Sequence, residues 1–218
     1  MAELLREGGP FVWILLACSV ISLAFILDRG WALRRAIVLP PALIQSLLNL
    51  RGPADLTSLR AVCDARPSAL ARLLATAIEN LRWPKDENAA ALEVRARQEI
   101  VNLERGLVIL EIIVGIAPLL GLVGTIYGII PLFGEFGKVV STDNSLLAKG
   151  IAGALNKTLL GLMVAIPTLV AWSYFNKKVE TLAVELEAQC DLFLRRNYLT
   201  GSGAVPGHGT TTPANTGA

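Results

Sequence analysis

The chain has 218 residues, 53% of them hydrophobic, and a mean hydropathy of +0.55, more apolar material than a soluble domain of this length buries. The apolar residues fall into three blocks, which indicates a multi-span membrane protein. The formal charge of +2 is uninformative, and with no basic run or basic-aromatic motif nucleic acid is not expected as a partner. Cys18, Cys63 and Cys190 are far apart and the single histidine, His208, lies in a Gly/Thr/Pro stretch, so disulfide-framework, metal-site and hydrolase readings have almost no material.

Residues 1–9, MAELLREGG, are slightly acidic, with Glu3 and Glu7 against Arg6. The block 10–27, PFVWILLACSVISLAFIL, has no small-x-small cleavage site behind it, so it reads as a retained first span rather than a signal peptide. Asp28, Arg29, Arg34 and Arg35 follow as a basic edge. Residues 28–106 read as a helical region outside the membrane. Helices are expected at 41–50, 54–65 and 68–81, with Ser68 as an N-cap and Arg51-Gly52-Pro53, Pro67 and Trp83-Pro84 as stops.

From about residue 86 to 133 the breakers are few, so one rod of about 72 Å is expected, its last part, 107–133, being the second span. Residues 134–149 read as a loop and 150–175 as the third span. Val179, Leu182, Leu186, Cys190 and Phe193 then recur at helical spacing, extending that helix over 176–197. Residues 198–218 are small, polar and turn-forming, and are expected to be disordered. Of the lysines and arginines, one precedes the first span, twelve lie in 28–106, two in 134–149 and four after residue 175. The positive-inside rule therefore puts the N-terminus outside and the C-terminus in the cytoplasm.

The second and third spans carry small and hydroxyl residues on one side. Pro118, Gly121, Thr125 and Gly128 share a face of the second; Ala154, Thr158, Gly161, Ala165 and Thr168 share a face of the third. Such faces suit close helix contact in lipid, where no hydrophobic drive joins helices. In an antiparallel hairpin Thr125 and Thr158 would both lie about 12 Å inside the same membrane face and form a polar layer without charge. Two charged residues interrupt the spans. Glu111 lies one turn inside the second; Lys157, beside Asn156, either snorkels outwards or faces a polar interior. No carboxylate stands near the middle of any span, so a proton route through this chain needs an acid from another subunit.

The string APLLGLVGTIYGII (117–130) followed by ALNKTLLGLMVAIPTLVAWSYF (154–175), with the Asp28-Arg29 edge and LERGL (103–107), resembles the ExbB/TolQ/MotA family. The resemblance covers about residues 5–197, and three spans make it more similar to ExbB and TolQ than to MotA. It implies an all-α protein of the bacterial inner membrane whose second and third helices extend far into the cytoplasm. It further implies a homopentamer whose pore holds a dimer of single-span ExbD- or TolR-like subunits, each supplying the membrane aspartate, with a TonB-like protein as a further partner.

The resemblance puts Thr125 and Thr158 on the ion pathway; the faces they lie on line it also with Pro118, Gly121, Gly128, Ala154, Gly161 and Ala165, and Glu111, Asn156 and Lys157 are the candidate charge modulators. The transported ion is H⁺ or Na⁺; no cofactor, metal or enzymatic activity is implied. The work driven would be TonB-type import, envelope maintenance or gliding-type motility. This chain departs from the pattern at Gly153, where the family reads Glu, at Lys157, where it reads a small residue, and at Glu111, where it reads an apolar one. A non-conducting scaffold of the same fold is the alternative these departures motivate.

Overall fold

The structure, a computed structural model, describes residues 9–50, 53–136 and 144–201. Among them the chain forms eight helices: α1 (Gly9–Ala32), α2 (Arg35–Val38), α3 (Pro41–Leu48), α4 (Pro53–Ala65), α5 (Ala69–Glu79), α6 (Lys85–Glu104), α7 (Leu107–Phe136) and α8 (Asn144–Gly201). Three of them, α1, α7 and α8, contain stretches long and apolar enough to cross a membrane. The chain is an all-α, multi-pass membrane protein. It divides into two compact units, Met1–Pro40 with Arg97–Glu185 and Pro41–Ala96 with Leu186–Ala218.

The first unit holds the membrane helices. Leu15 of α1, Ile113 and Ala117 of α7 and Ala165 of α8 form its buried cluster, with Cys18 and Leu160 packed against it. Long apolar side chains such as Val20, Leu119, Ile130 and Val170 point outwards, an arrangement that suits a hydrocarbon solvent and would be costly in water. Pro118 and Pro131 lie within α7 and Pro167 within α8. Each removes one N–H from the ladder, a loss that packed membrane helices accommodate.

The expected rod over 86–133 is interrupted. Arg105 and Gly106 form a turn between α6 and α7. Glycine weakens a helix at that point, and the space where a Gly106 side chain would stand is taken by the Arg29 guanidinium carried on α1. The third span, by contrast, runs on further than expected in both directions: α8 already includes 144–149, assigned above to the loop, and continues through 198–201. Its 58 residues span about 87 Å, nearly three times a hydrocarbon core. The disorder expected for the tail and the placement of residues 1–8 lie outside the described residues.

The second unit follows the breakers. α3 and α4 open on prolines, whose fixed φ suits a first helical turn, and Arg66-Pro67 stops α4 because the residue before proline disfavours helix. Ser68 is extended, at φ −135° and ψ 169°, and accepts a hydrogen bond from the Ala71 amide at 3.1 Å, the cap its sequence position suggests. Behind the cap, Leu70, Leu73, Leu74 and Ala77 are fully buried. Asn88, also fully buried, donates to the Ala77 carbonyl at 3.1 Å and to the Tyr198 hydroxyl at 3.0 Å. The Tyr198 hydroxyl donates in turn to the Trp83 carbonyl at 2.9 Å. Arg196 donates to the carbonyls of Leu47 and Leu48, which end α3 and have no partner within it. Along α8, Leu186, Cys190 and Phe193 of this unit are buried, as are Val179 and Leu182 of the first, as their spacing predicts.

Cys63 and Cys190 behave as small apolar groups. Burial pushes their thiols up to about 11 and about 12, so the reactive thiolate is scarce at neutral pH.

Asn88→Ala strands the buried Ala77 carbonyl and removes one bond to the half-buried Tyr198 hydroxyl, and is expected to cost about 1–3 kcal/mol, against about 1 kcal/mol for Ser68→Ala. Hydrogen–deuterium exchange in α5 of the solubilised protein reads both: protection falls more in the Asn88 variant than in the Ser68 variant.

Candidate ion-pathway site

The site is built by two glycines. A Cβ added at Gly121 of α7 would stand 2.9 Å from the Lys157 carbonyl oxygen and 3.1 Å from the Thr158 Cα. One added at Gly161 of α8 would stand 2.6 Å from the Ala117 carbonyl oxygen and 3.1 Å from the Gly121 Cα. The two backbones are therefore in direct contact, closer than any side chain would permit.

That contact brings two hydroxyls from antiparallel helices to one level. Thr125 Oγ1 lies 2.5 Å from Thr158 Oγ1, 3.0 Å from the Gly121 carbonyl oxygen and 2.9 Å from the Ala154 carbonyl oxygen. Thr158 Oγ1 is 3.4 Å from the Gly121 oxygen. Each hydroxyl owns one proton, so this group of four oxygens has two protons to share and keeps lone pairs free. Thr125 is buried and Thr158 half-buried. The layer is uncharged, rich in acceptors, and able to take a hydrogen bond from a group arriving at Thr158.

Lys157 is packed inside the helix group beside this layer. It is 8% exposed, and its stem lies against Gly124 of α7, where an added Cβ would meet its Cδ at 3.4 Å and Phe11 of α1 at 3.3 Å. Its ammonium ends beside Gly128, 3.0 Å from where a Cβ would be. The side chain thus runs one helical turn along α7, filling a groove between the first and second spans. The head runs towards the Phe136 end of α7, as in the outward orientation open in the sequence, yet it stays buried, and the glycines and Phe11 beside it do not make a polar interior. Gly124 is not among the residues that the sequence pattern singles out; its spacing of four from Gly128 is the available signal.

The remaining expected residues divide. Ala154 contributes its carbonyl to the layer and Gly161 the close approach, while Ala165 belongs to the buried cluster with Leu15. Pro118 and Gly128 are half-buried. Glu111 and Asn156 are exposed, and Glu111, fourteen residues before Thr125, is about 21 Å from the hydroxyls along α7. Among the described residues no group of three His, Cys, Asp or Glu side chains could hold a metal ion.

These features define a three-span helical membrane protein organised around a buried, uncharged hydroxyl layer. Residues 65–188 match the MotA/TolQ/ExbB proton channel family, and the chain belongs to that family, one of transport proteins rather than enzymes. It is 33% identical over 171 residues to an ExbB-like biopolymer transport protein of Synechocystis, covering 76% of this chain and 66% of that one. A second ExbB-like protein of Synechocystis is 29% identical, over 87% of this chain and 92% of its own length. An ExbB homologue of Methanothermobacter thermautotrophicus is 29% identical over 82% of this chain and 63% of its own. The chain thus spans just under two thirds of the length of the first and third of these relatives.

Gly121→Ala and Gly161→Ala drive a Cβ into backbone atoms, and overpacking of this kind costs about 1–3 kcal/mol. Both are expected to lower the thermal midpoint of the detergent-solubilised protein. Gly115→Ala, where nothing lies within 4 Å, leaves it unchanged or raises it slightly.

Proposed function

We propose that the chain is the ion-conducting subunit of an ExbB/TolQ-type motor, which uses the proton motive force to move a single-span partner. The observation that carries this reading is the contact between Thr125 and Thr158, an interhelical pair of hydroxyls at one depth in the membrane helices. A layer of this kind can hand a proton on or accept a hydrogen bond from a protonated acid, yet it cannot store the proton itself. The acid comes from an ExbD- or TolR-like subunit, two copies of which occupy the pore of a homopentamer. Each charge that crosses is worth about 2.3 kcal/mol per 100 mV. The partner's outer part delivers that work to TonB-type import, envelope maintenance or gliding-type motility.

The distribution of lysine and arginine supports an N-terminus in the periplasm and a C-terminus in the cytoplasm of an inner membrane. The ion path runs past Gly121, Thr125, Ala154 and Thr158. Gly161 sets the helix separation and Pro118, Gly128 and Ala165 flank the route.

Native mass spectrometry of the protein co-expressed with a single-span, aspartate-bearing membrane protein is expected to give a five-to-two complex. In vesicles, Thr125→Ala and Thr158→Ala are expected to cut proton flux at least tenfold while that complex stays intact. An intact complex of full flux in both variants removes the hydroxyl layer from the path. An assembly that takes up no acid-bearing partner leaves the non-conducting scaffold.

A further inference from the structure

Resting on the motor reading, we propose that Lys157 determines the ion specificity of the route: its ammonium, held beside the hydroxyl layer, closes that layer to metal cations and leaves it open to a proton carried on a neutral acid. The four oxygens of the layer, two hydroxyl and two carbonyl, are hard donors of the type that coordinates an alkali cation. Taken alone they would suit Na⁺ as well as a proton. Lys157 changes that balance.

Its stem starts beside Gly124 and its Nζ ends beside Gly128, so the ammonium flanks the turn of α7 that carries Thr125. The point 3.0 Å from Nζ is also 3.4 Å from the Ala154 Cβ, and Ala154 gives its carbonyl to the layer. The charge therefore stands about one helical turn, roughly 5 Å, along α7 from the level of Thr125, next to the residue whose carbonyl belongs to the layer. It is buried, and among the described residues no carboxylate forms an ion pair with it; Glu111 is several turns away. Glycine at 128 is what lets the ammonium lie there, since a Cβ would stand 3.0 Å from Nζ, while one at 124 would meet the stem in ordinary contact at 3.4 Å.

A fixed unit charge at that range, in the protein interior, disfavours a second positive charge by roughly tenfold to a hundredfold. An alkali ion coordinated by these oxygens stays a separate positive charge even when a carboxylate stands on its other side. A proton delivered as the O–H of a carboxylic acid belongs to a neutral group, which meets the ammonium only as a dipole. Discrimination thus arises from how far the charges are separated, and the size of the opening plays no part.

The test uses the complex with its acid-bearing partner in vesicles, comparing proton flux by a pH-sensitive dye with uptake of radiolabelled sodium under an imposed potential. The wild type is expected to pass protons with sodium uptake at background. Lys157→Met, which keeps the stem and removes the charge, raises sodium uptake at least tenfold, and Lys157→Arg does not. Sodium uptake by the wild type comparable to its proton flux overturns the proposal, as does background uptake in an assembled Lys157→Met complex that still passes protons. Should that variant fail to assemble, the wild-type comparison decides alone. Flux of neither ion in the wild type overturns the motor reading beneath it, and the proposal with it.

Discussion

Backbone contact between α7 and α8 at Gly121 and Gly161 is the constraint on which the polar arrangement depends. Helices separated by ordinary side chains lie about 8–10 Å apart, too far for two threonine hydroxyls to share a hydrogen bond while also reaching the opposite backbone. Removing both side chains lets Thr125 touch Thr158 and the Ala154 carbonyl together. In lipid such contacts also hold the helices to each other, since hydrocarbon exerts no pressure to do so. The same pair of glycines therefore serves cohesion and places the hydroxyls.

Around that contact the chain distributes charge sparingly. The hydroxyl layer carries none, the one carboxylate within α7's apolar stretch before Thr125 is exposed and distant, and the one ammonium is packed against Gly124 and Gly128. A buried ammonium is costly unless its head finds a polar partner or water, and packing of the stem beside Gly124 does not remove that cost. The hydroxyl layer and the lysine lie on different faces of the same turn of α7. A side chain at Gly124 would press on Phe11 and the lysine stem alone, whereas one at Gly128 would meet both the Lys157 ammonium and Ala154, and one at Gly121 the backbone of Lys157 and Thr158.

Features set by local pattern were legible in the sequence. The spans follow from apolar length, the Ser68 cap from its place before an apolar helix, and the matching level of Thr125 and Thr158 from equal distances to the ends of two antiparallel spans. Features decided by a neighbouring helix were not. Glycine at 106 is compatible with a continuing helix, and it is the Arg29 guanidinium from α1 that occupies the space beside it. The direction of Lys157 likewise depends on a groove made by α7 and closed by Phe11 of α1. The short helix α2 had too little length to leave a periodic trace.

The turn at Arg105 and Gly106 gives the two long spans different mechanical characters. A helix resists twist and bending through its continuous ladder of backbone bonds, and α7 loses that continuity where it meets α6. Beyond Pro167, α8 has neither glycine nor proline from Thr168 to Thr200. Torsion entering α8 is carried along as in a stiff shaft, whereas torsion entering α7 is relieved at a joint.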